Sequence, residues 1–205
     1  MRIGIFSDVH ANLPALETVL AKLRDEAVDL MYCLGDTVGY GPYPNECIEL
    51  VRTNCKLVLK GNHDSGLIGE TSVEDFNPYG LKALLWSQER VTDEYKAYLG
   101  SLPYTAIEHE VTFAHSSPMR PAEWSYVLTL RAAKENFHAF TTKICYIGHT
   151  HVPVVINEDM TVGEYRKNGP TLVSIRSILH SVPLSRAYME TSPALGLEHW
   201  RSGSG

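Results

Sequence analysis

Residues of the kinds that hold metal ions recur in five short clusters along the chain. They are Asp8 and His10 in Ser7–His10, Asp36 behind Gly35, Asn62, His63 and Asp64 behind Gly61, His115 ahead of Ser116 and Ser117, and His149 and His151 in Gly148–His151. Carboxylate oxygens, amide carbonyls and imidazole nitrogens are the ordinary ligands of divalent cations. Asp8 and His10, two apart on a strand exit, point the same way and suit one ion. Asp36 can act as a carboxylate bridging two cations. Asn62 offers a neutral oxygen, and His63 beside Asp64 reads as an oriented imidazole. His149 and His151 repeat the spacing of two. Each cluster alone has a plainer reading as well: surface polarity for Asp-x-His, a turn for Gly-Asp, a capped turn for Gly-Asn-His-Asp, an edge histidine for His115.

What joins them is their placement. Each follows a short apolar run: Ile3 to Phe6, Met31 to Leu34, Leu57 to Leu59, Val111 to Ala114 and Ile144 to Ile147. These runs read as buried strands. In sheets wound with crossover helices the carboxyl ends of the strands share one edge, where residues distant in sequence converge. The connecting segments supply such helices. Asn12 and Pro14 open one with an apolar stripe of Leu13, Leu16, Leu20 and Leu23, and Asn45 is expected to cap a second. Asn77 and Pro78 open a third, Thr92 a fourth, and Thr129 to Phe137 reads as a fifth. The opening alternation of strand and helix predicts a right-handed parallel sheet. Tyr104 to Ile107 and Val111 to Ala114 form a hairpin, and Pro153 to Ile156 with Glu158 to Gly163 an antiparallel continuation.

Composition bounds the partners. The chain has 205 residues, 44% hydrophobic and 20% charged, enough for a full core in one domain spanning 1–205. A net charge of −6 argues against an extended nucleic-acid surface, which needs a basic face. Cys33, Cys47, Cys55 and Cys145 make no metal-type pair, and a reduced, cytoplasmic setting is expected. No run reaches the length of a membrane span, and no signal peptide is apparent.

The ordered set of clusters resembles the calcineurin-like metallophosphoesterase superfamily. Ser7-Asp8-Val9-His10-Ala11-Asn12-Leu13-Pro14 and Gly39-Tyr40-Gly41-Pro42 are similar in wording to its small prokaryotic phosphodiesterase branch. The resemblance runs from Met1 to about Val155. It implies an α/β fold, a four-layer α/β/β/α sandwich of two mixed β-sheets flanked by helices, with a dinuclear site at the sheet edges. It further implies one ion held by Asp8, His10, Asp36 and His151 and a second by Asp36, Asn62, His115 and His149. His63, oriented by Asp64, would be the catalytic histidine outside the metal shell. Residues 169–205 depart from the family: where an Asn-Pro-Gly-Ser stretch is usual, the chain reads Thr171 to Ile178 without it. An unclosed sheet edge there invites self-association.

Two such ions, roughly 3.5 to 4 Å apart, lower the pKa of a shared hydroxide and clamp the phosphoryl oxygens for in-line attack. Mixed N and O ligands suit Mn foremost, with Fe, Zn, Ni or Co as alternatives, over an all-oxygen Mg site. His63, expected as a cation beside Asp64, would stabilise the transition state or protonate the leaving oxygen. The expected substrate is a small phosphodiester, of nucleotide type by analogy. Tyr40 in its Gly/Pro-rich loop reads equally as a ring to stack on a base and as an ordinary turn tyrosine, and Arg120 reads as a solvated surface arginine more readily than as a fork for a phosphate. Two alternatives stand beside this: a phosphomonoesterase or protein phosphatase of the same superfamily, and a non-catalytic protein-binding scaffold on the same fold.

Overall fold

The computed structural model describes residues 1–163 and, for the backbone alone, 177–180. Strand β1 (Ile3–Phe6), helix α1 (Leu13–Asp25), β2 (Leu30–Cys33), α2 (Pro44–Asn54) and β3 (Leu57–Val58) alternate as expected. The three strands form a parallel sheet in the order β1-β2-β3. Helices α3 (Asn62–Leu67), α4 (Pro78–Gln88) and α5 (Asp93–Ser101) follow. The second sheet opens with β4 (Thr105–Glu108) and β5 (Val111–Ala114), an antiparallel hairpin. Its two-residue turn, His109 and Glu110, has both φ angles positive, at 51° and 60°, which is the type I′ geometry that matches strand twist. Helix α6 (Leu130–Asn136) crosses over to β6 (Ile144–Ile147), parallel to β5. β7 (Val155–Asn157), β8 (Val162–Gly163) and β9 (Ser177–His180) complete a mixed sheet in the order β4-β5-β6-β9-β7-β8.

Period-two alternation sorts the strand residues into three cores, and the cores are the seams between four layers. Phe6, Cys33 and Val58 face α1 and α2 with Leu16, Leu20, Ile48 and Val51. Their neighbours Ile5, Tyr32 and Leu57 point the other way and meet Phe113, Val111 and Tyr146 of the second sheet. On the far face of that sheet Ala114, Cys145 and Ile147 pack with Ala133 and Phe137 around α6. Helix, sheet, sheet and helix therefore stack in the expected α/β/β/α order. The first sheet is purely parallel over its described strands because crossover helices join them; the second is mixed because a hairpin and an antiparallel return are built into it.

Capping follows the sequence at four helices. Asn12, Asn77, Thr92 and Thr129 each accept a hydrogen bond from the backbone N–H three residues on. Asn45 does not cap α2. The helix begins at Pro44, whose fixed φ suits the first turn, with Tyr43 at the cap. The Asn45 amide instead donates to Arg90 O at 3.0 Å and accepts from Thr92 N at 3.3 Å, tying α2 to the start of α5. Gly61–Asp64, read as a turn, is the start of α3. Most of the atypical 169–205 segment lies outside the described residues. Its strand β9 pairs with β6 on one side and β7 on the other, so at 177–180 it is interior to the sheet. No helix among the described residues is long and apolar enough to cross a membrane.

Phe113 is the keystone of the inter-sheet seam: its ring meets Tyr32 edge-on at 5.2 Å and stacks over Tyr146 at 5.8 Å. Phe113→Ala should cost about 3 to 5 kcal/mol of folding stability. Urea denaturation should show this as a lowered midpoint with an unchanged slope.

Candidate metal centre

The five clusters sit at the carboxyl ends of β1, β2, β3, β5 and β6, where the two sheets meet. Strand alternation was the expected device for aiming Asp8 and His10 together. The backbone does it differently. Asp8, His10, Asp36, His149 and His151 all leave their strands in the left-handed region, with φ of 59°, 51°, 53°, 64° and 56°. Such conformations cost on the order of 1 to 3 kcal/mol each. Cross-strand hydrogen bonds hold them: Asp8 N to Gly35 O at 3.0 Å, His10 N to Asp36 O at 2.9 Å, and Gly148 N to His115 O at 2.8 Å.

Asp36 is at the middle. Its carboxylate is buried, with Oδ2 at 3.4 Å from His115 Nε2 and 3.9 Å from His10 Nε2. Its Oδ1 accepts from His63 N–H at 2.8 Å. On one side Asp8 Oδ1 lies 3.3 Å from His151 Nε2, which in turn lies 3.2 Å from His10 Nε2. On the other, Asn62 Oδ1 lies 3.3 Å from His115 Nε2. Three sets of ligand atoms each fall within 4.8 Å of one another: Asp8, His10 and His151; Asp36, His115 and His149; and His10, Asp36 and His63.

The imidazoles are oriented by carbonyls. His10 Nδ1 meets Val38 O at 3.2 Å, His115 Nδ1 meets Leu34 O at 2.8 Å, and His149 Nε2 meets Trp124 O at 2.9 Å. A carbonyl only accepts, so those nitrogens carry the protons, and the opposite nitrogen of each neutral ring keeps a lone pair. Inward lone pairs beside two buried carboxylates are a donor set that fits divalent cations.

Residues 1–153 match the calcineurin-like phosphoesterase family. The chain belongs to that family. It is 41% identical to a crystallised metallophosphoesterase from Sphaerobacter thermophilus, over 90% of this chain and 77% of that one, with a TM-score of 0.78. An uncharacterized protein of Methanocaldococcus jannaschii is 38% identical over 162 residues, which are 77% of this chain and 65% of the archaeal one. The chain thus spans about two thirds of that relative's length. A structure assigned as a diadenosine tetraphosphatase shares the fold, with a TM-score of 0.57 and 19% identity over 92% of this chain and 85% of that one.

In this chain the expected ligands Asp8, His10, Asp36, Asn62, His115, His149 and His151 all converge. Three other expectations need correction. Asp64 does not orient the His63 ring. Its carboxylate accepts from Gly61 N–H at 3.0 Å and Val38 N–H at 3.1 Å, so it fixes two loops while His63 Nδ1 has no hydrogen-bond partner among the described residues. His63 is wedged between the rings of His10, Tyr40 and Phe76 instead, and Nδ1 lies where a Cβ on Gly39 would be. Arg120 is exposed and paired with Glu123 at 3.1 Å, and it is not among the residues lining the cavity over the metal centre. Tyr40 does line that cavity, with its hydroxyl accepting from Asn77 Nδ2 at 2.8 Å. Gly61 serves close approach rather than a tight turn: its φ is −96°, and a Cβ there would strike Asp36 Oδ1. Trp124 and Tyr126, which orient and cover His149, carry no spacing signal that would single them out.

Asp36 and Asp8 each raise the pKa of a histidine beside them. Burial alone would lower the His115 pKa, but the adjoining Asp36 carboxylate lifts it from 6.5 to about 9. Asp36 is held well below the usual carboxylate range, burial opposing and His115 prevailing. His151 is likewise raised against burial by Asp8. Burial drives His63 and His149 down to about 4, so His63 is neutral near pH 7 rather than the expected cation. A histidine whose folded pKa is raised contributes stability that is complete below its unfolded pKa and lost as pH rises through the folded value. For His115 that window runs from 6.5 to about 9. The metal-stripped protein should therefore lose stability as pH rises across this range, followed by urea midpoints, and His115→Asn should flatten the slope.

Proposed function

We propose that the chain is a dinuclear metal-dependent phosphodiesterase. The observation that carries this is the position of the buried Asp36 carboxylate, between His10 on the Asp8/His151 side and His115 on the Asn62/His149 side. Asp8, His10, Asp36 and His151 would hold one cation, and Asp36, Asn62, His115 and His149 the other. When bound, the two cations, Mn foremost, supply Lewis acidity at the phosphoryl oxygens and lower the pKa of the attacking water.

The chain's own residues do the rest. A cavity of about 270 Å³ opens over the ligands, lined also by Tyr40, His63, Tyr126 and Thr150. Its lining holds no Lys or Arg among the described residues. A phosphodiester carries one negative charge and a monoester close to two at neutral pH. A lining without guanidinium or ammonium groups supports the singly charged ester. Hydrolysis forms one P–O bond to water and breaks one to the leaving alcohol, whose oxygen takes up the proton that the water gives up. His63 borders the cavity, and as a neutral imidazole it can donate a hydrogen bond there from a ring N–H. Asp64 acts at one remove, by holding the backbone at Gly61 and Val38 that frames His63. The setting this reading implies is cytoplasmic, and the cysteines are all free thiols.

Hydrolysis of bis(p-nitrophenyl) phosphate with added Mn, beside p-nitrophenyl phosphate, tests the reading. Faster turnover of the diester supports it, preference for the monoester points to the phosphatase alternative, and hydrolysis of neither points to the scaffold. His63→Asn should retain both metals while turnover falls by about 10² to 10⁴; near-normal turnover would remove the role given to His63. Asp36→Asn should lose metal, and two full equivalents by elemental analysis would count against the bridge.

A further inference from the structure

Two tyrosines stand at the rim of a cavity whose floor is otherwise polar. Tyr126 lies flat on His149, with ring centroids 4.0 Å apart and planes 20° from parallel. One face is thereby occupied, yet the residue remains 57% exposed. Tyr40 is 46% exposed and borders a different part of the floor, edge-on to His10 and 4.9 Å from His63. Tyr40 is tied to the start of α4 through its hydroxyl, and Tyr126 rests on the carbonyl-oriented His149 ring. The Tyr40 hydroxyl is held by Asn77, which also caps α4. Tyr126 is two residues from Trp124, whose indole N–H donates to Thr71 Oγ1 at 3.0 Å and whose carbonyl holds His149.

An exposed aromatic ring with little conformational freedom offers contact area at small entropic cost. At this rim it offers that area beside the place where the phosphoryl group would lie. We infer that Tyr126, with Tyr40 on the His63 side, seats a planar aromatic substituent of the phosphodiester, an aryl group or a nucleobase. The inference rests on the phosphodiesterase reading for the phosphoryl end alone. Tyr40 adjoins His63, the group proposed to serve the leaving oxygen. Tyr126 adjoins His149, away from it, and takes the substituent that stays on phosphorus. With no Lys or Arg in the lining among the described residues, selection of that substituent falls to ring contact rather than to further anionic groups.

The test keeps the leaving group constant. Methyl, phenyl and thymidine-5′ esters of p-nitrophenyl phosphate are compared with the Mn-loaded protein as wild type, Tyr126→Ala and Tyr126→Phe. A stacked ring is worth about tenfold. The wild type should therefore favour the phenyl and thymidine esters over the methyl ester by about that factor in kcat/KM. Tyr126→Ala should bring the ratio towards one and Tyr126→Phe should keep it, whatever happens to overall rate. A gain of thymidine over phenyl would assign the seat to a nucleobase, and equality to any aryl group. Calorimetric binding of phenyl phosphate against methyl phosphate reads the same seat without turnover. No aromatic preference in either measurement, or a preference that survives Tyr126→Ala, overturns the inference. Turnover without preference removes the seat alone, whereas preference in binding without turnover removes the diesterase reading and leaves the seat.

Discussion

The Asp36 carboxylate is a charge buried where two sheets end, and the local structure is arranged to permit it. Burying an unpaired carboxylate is prohibitive, so every side of this one is met by a donor or a lone pair in need of a cation. The His63 amide covers Oδ1, and His115 and His10 face Oδ2. Space is made by omission: a Cβ on Gly61 would occupy the place of the carboxylate itself. The same turn draws the sheets together, because His115 of the second sheet bonds to Leu34 O of the first at 2.8 Å. A Cβ on Gly35 would sit 2.8 Å from that imidazole nitrogen. The inter-sheet seam of Tyr32, Leu34, Leu59 and Phe113 ends where the ligands begin, so core packing and ligand geometry share residues.

The strands and most of the ligands were legible because both leave short-range marks. A buried strand in such a sandwich is a brief apolar run, and a ligand must follow it closely to reach the shared edge. The seven residues that converge at the sheet edge and the layer order could be read in that way. What escaped reading depends on contacts made across the fold. Asp64 follows His63 in sequence, yet its carboxylate goes to the backbone of Val38 because the end of β2 passes beside the start of α3. Asn45 looks like a helix cap and is a strut, because Pro44 had already begun the helix. Arg120 offered a fork for phosphate and found Glu123 one turn away. Tyr126, six residues later, had no distinguishing pattern and lies on a ligand. Loop residues are placed by tertiary contacts, and local sequence does not report those.

The strained backbone and the polar floor belong to one design. Left-handed residues and buried histidines each cost stability, and the strands behind them are short: β1, β2, β5 and β6 have four residues each. The cost is tolerable because Asp8, His10, Asp36 and His149 are bonded, directly or through a flanking residue, across to a neighbouring strand end. In this arrangement the hydrophobic layers supply the free energy of folding, and the strand ends spend part of it on holding ligands in conformations a free peptide would avoid.

Protons and cations compete for the same lone pairs in this centre. Without a cation, Asp36 keeps a proton on His115 through neutral pH, and Asp8 raises the pKa of His151. A cation entering between these groups must displace those protons, and metal binding to imidazole releases them in general. Asp36 is thus paired in either case, by the His115 imidazolium without a cation and by the cation with it. If cations supply positive charge at the floor, a guanidinium added among the described lining residues would raise the cost of binding them. The residues left to distinguish one ester from another are then the aromatic ones at the rim.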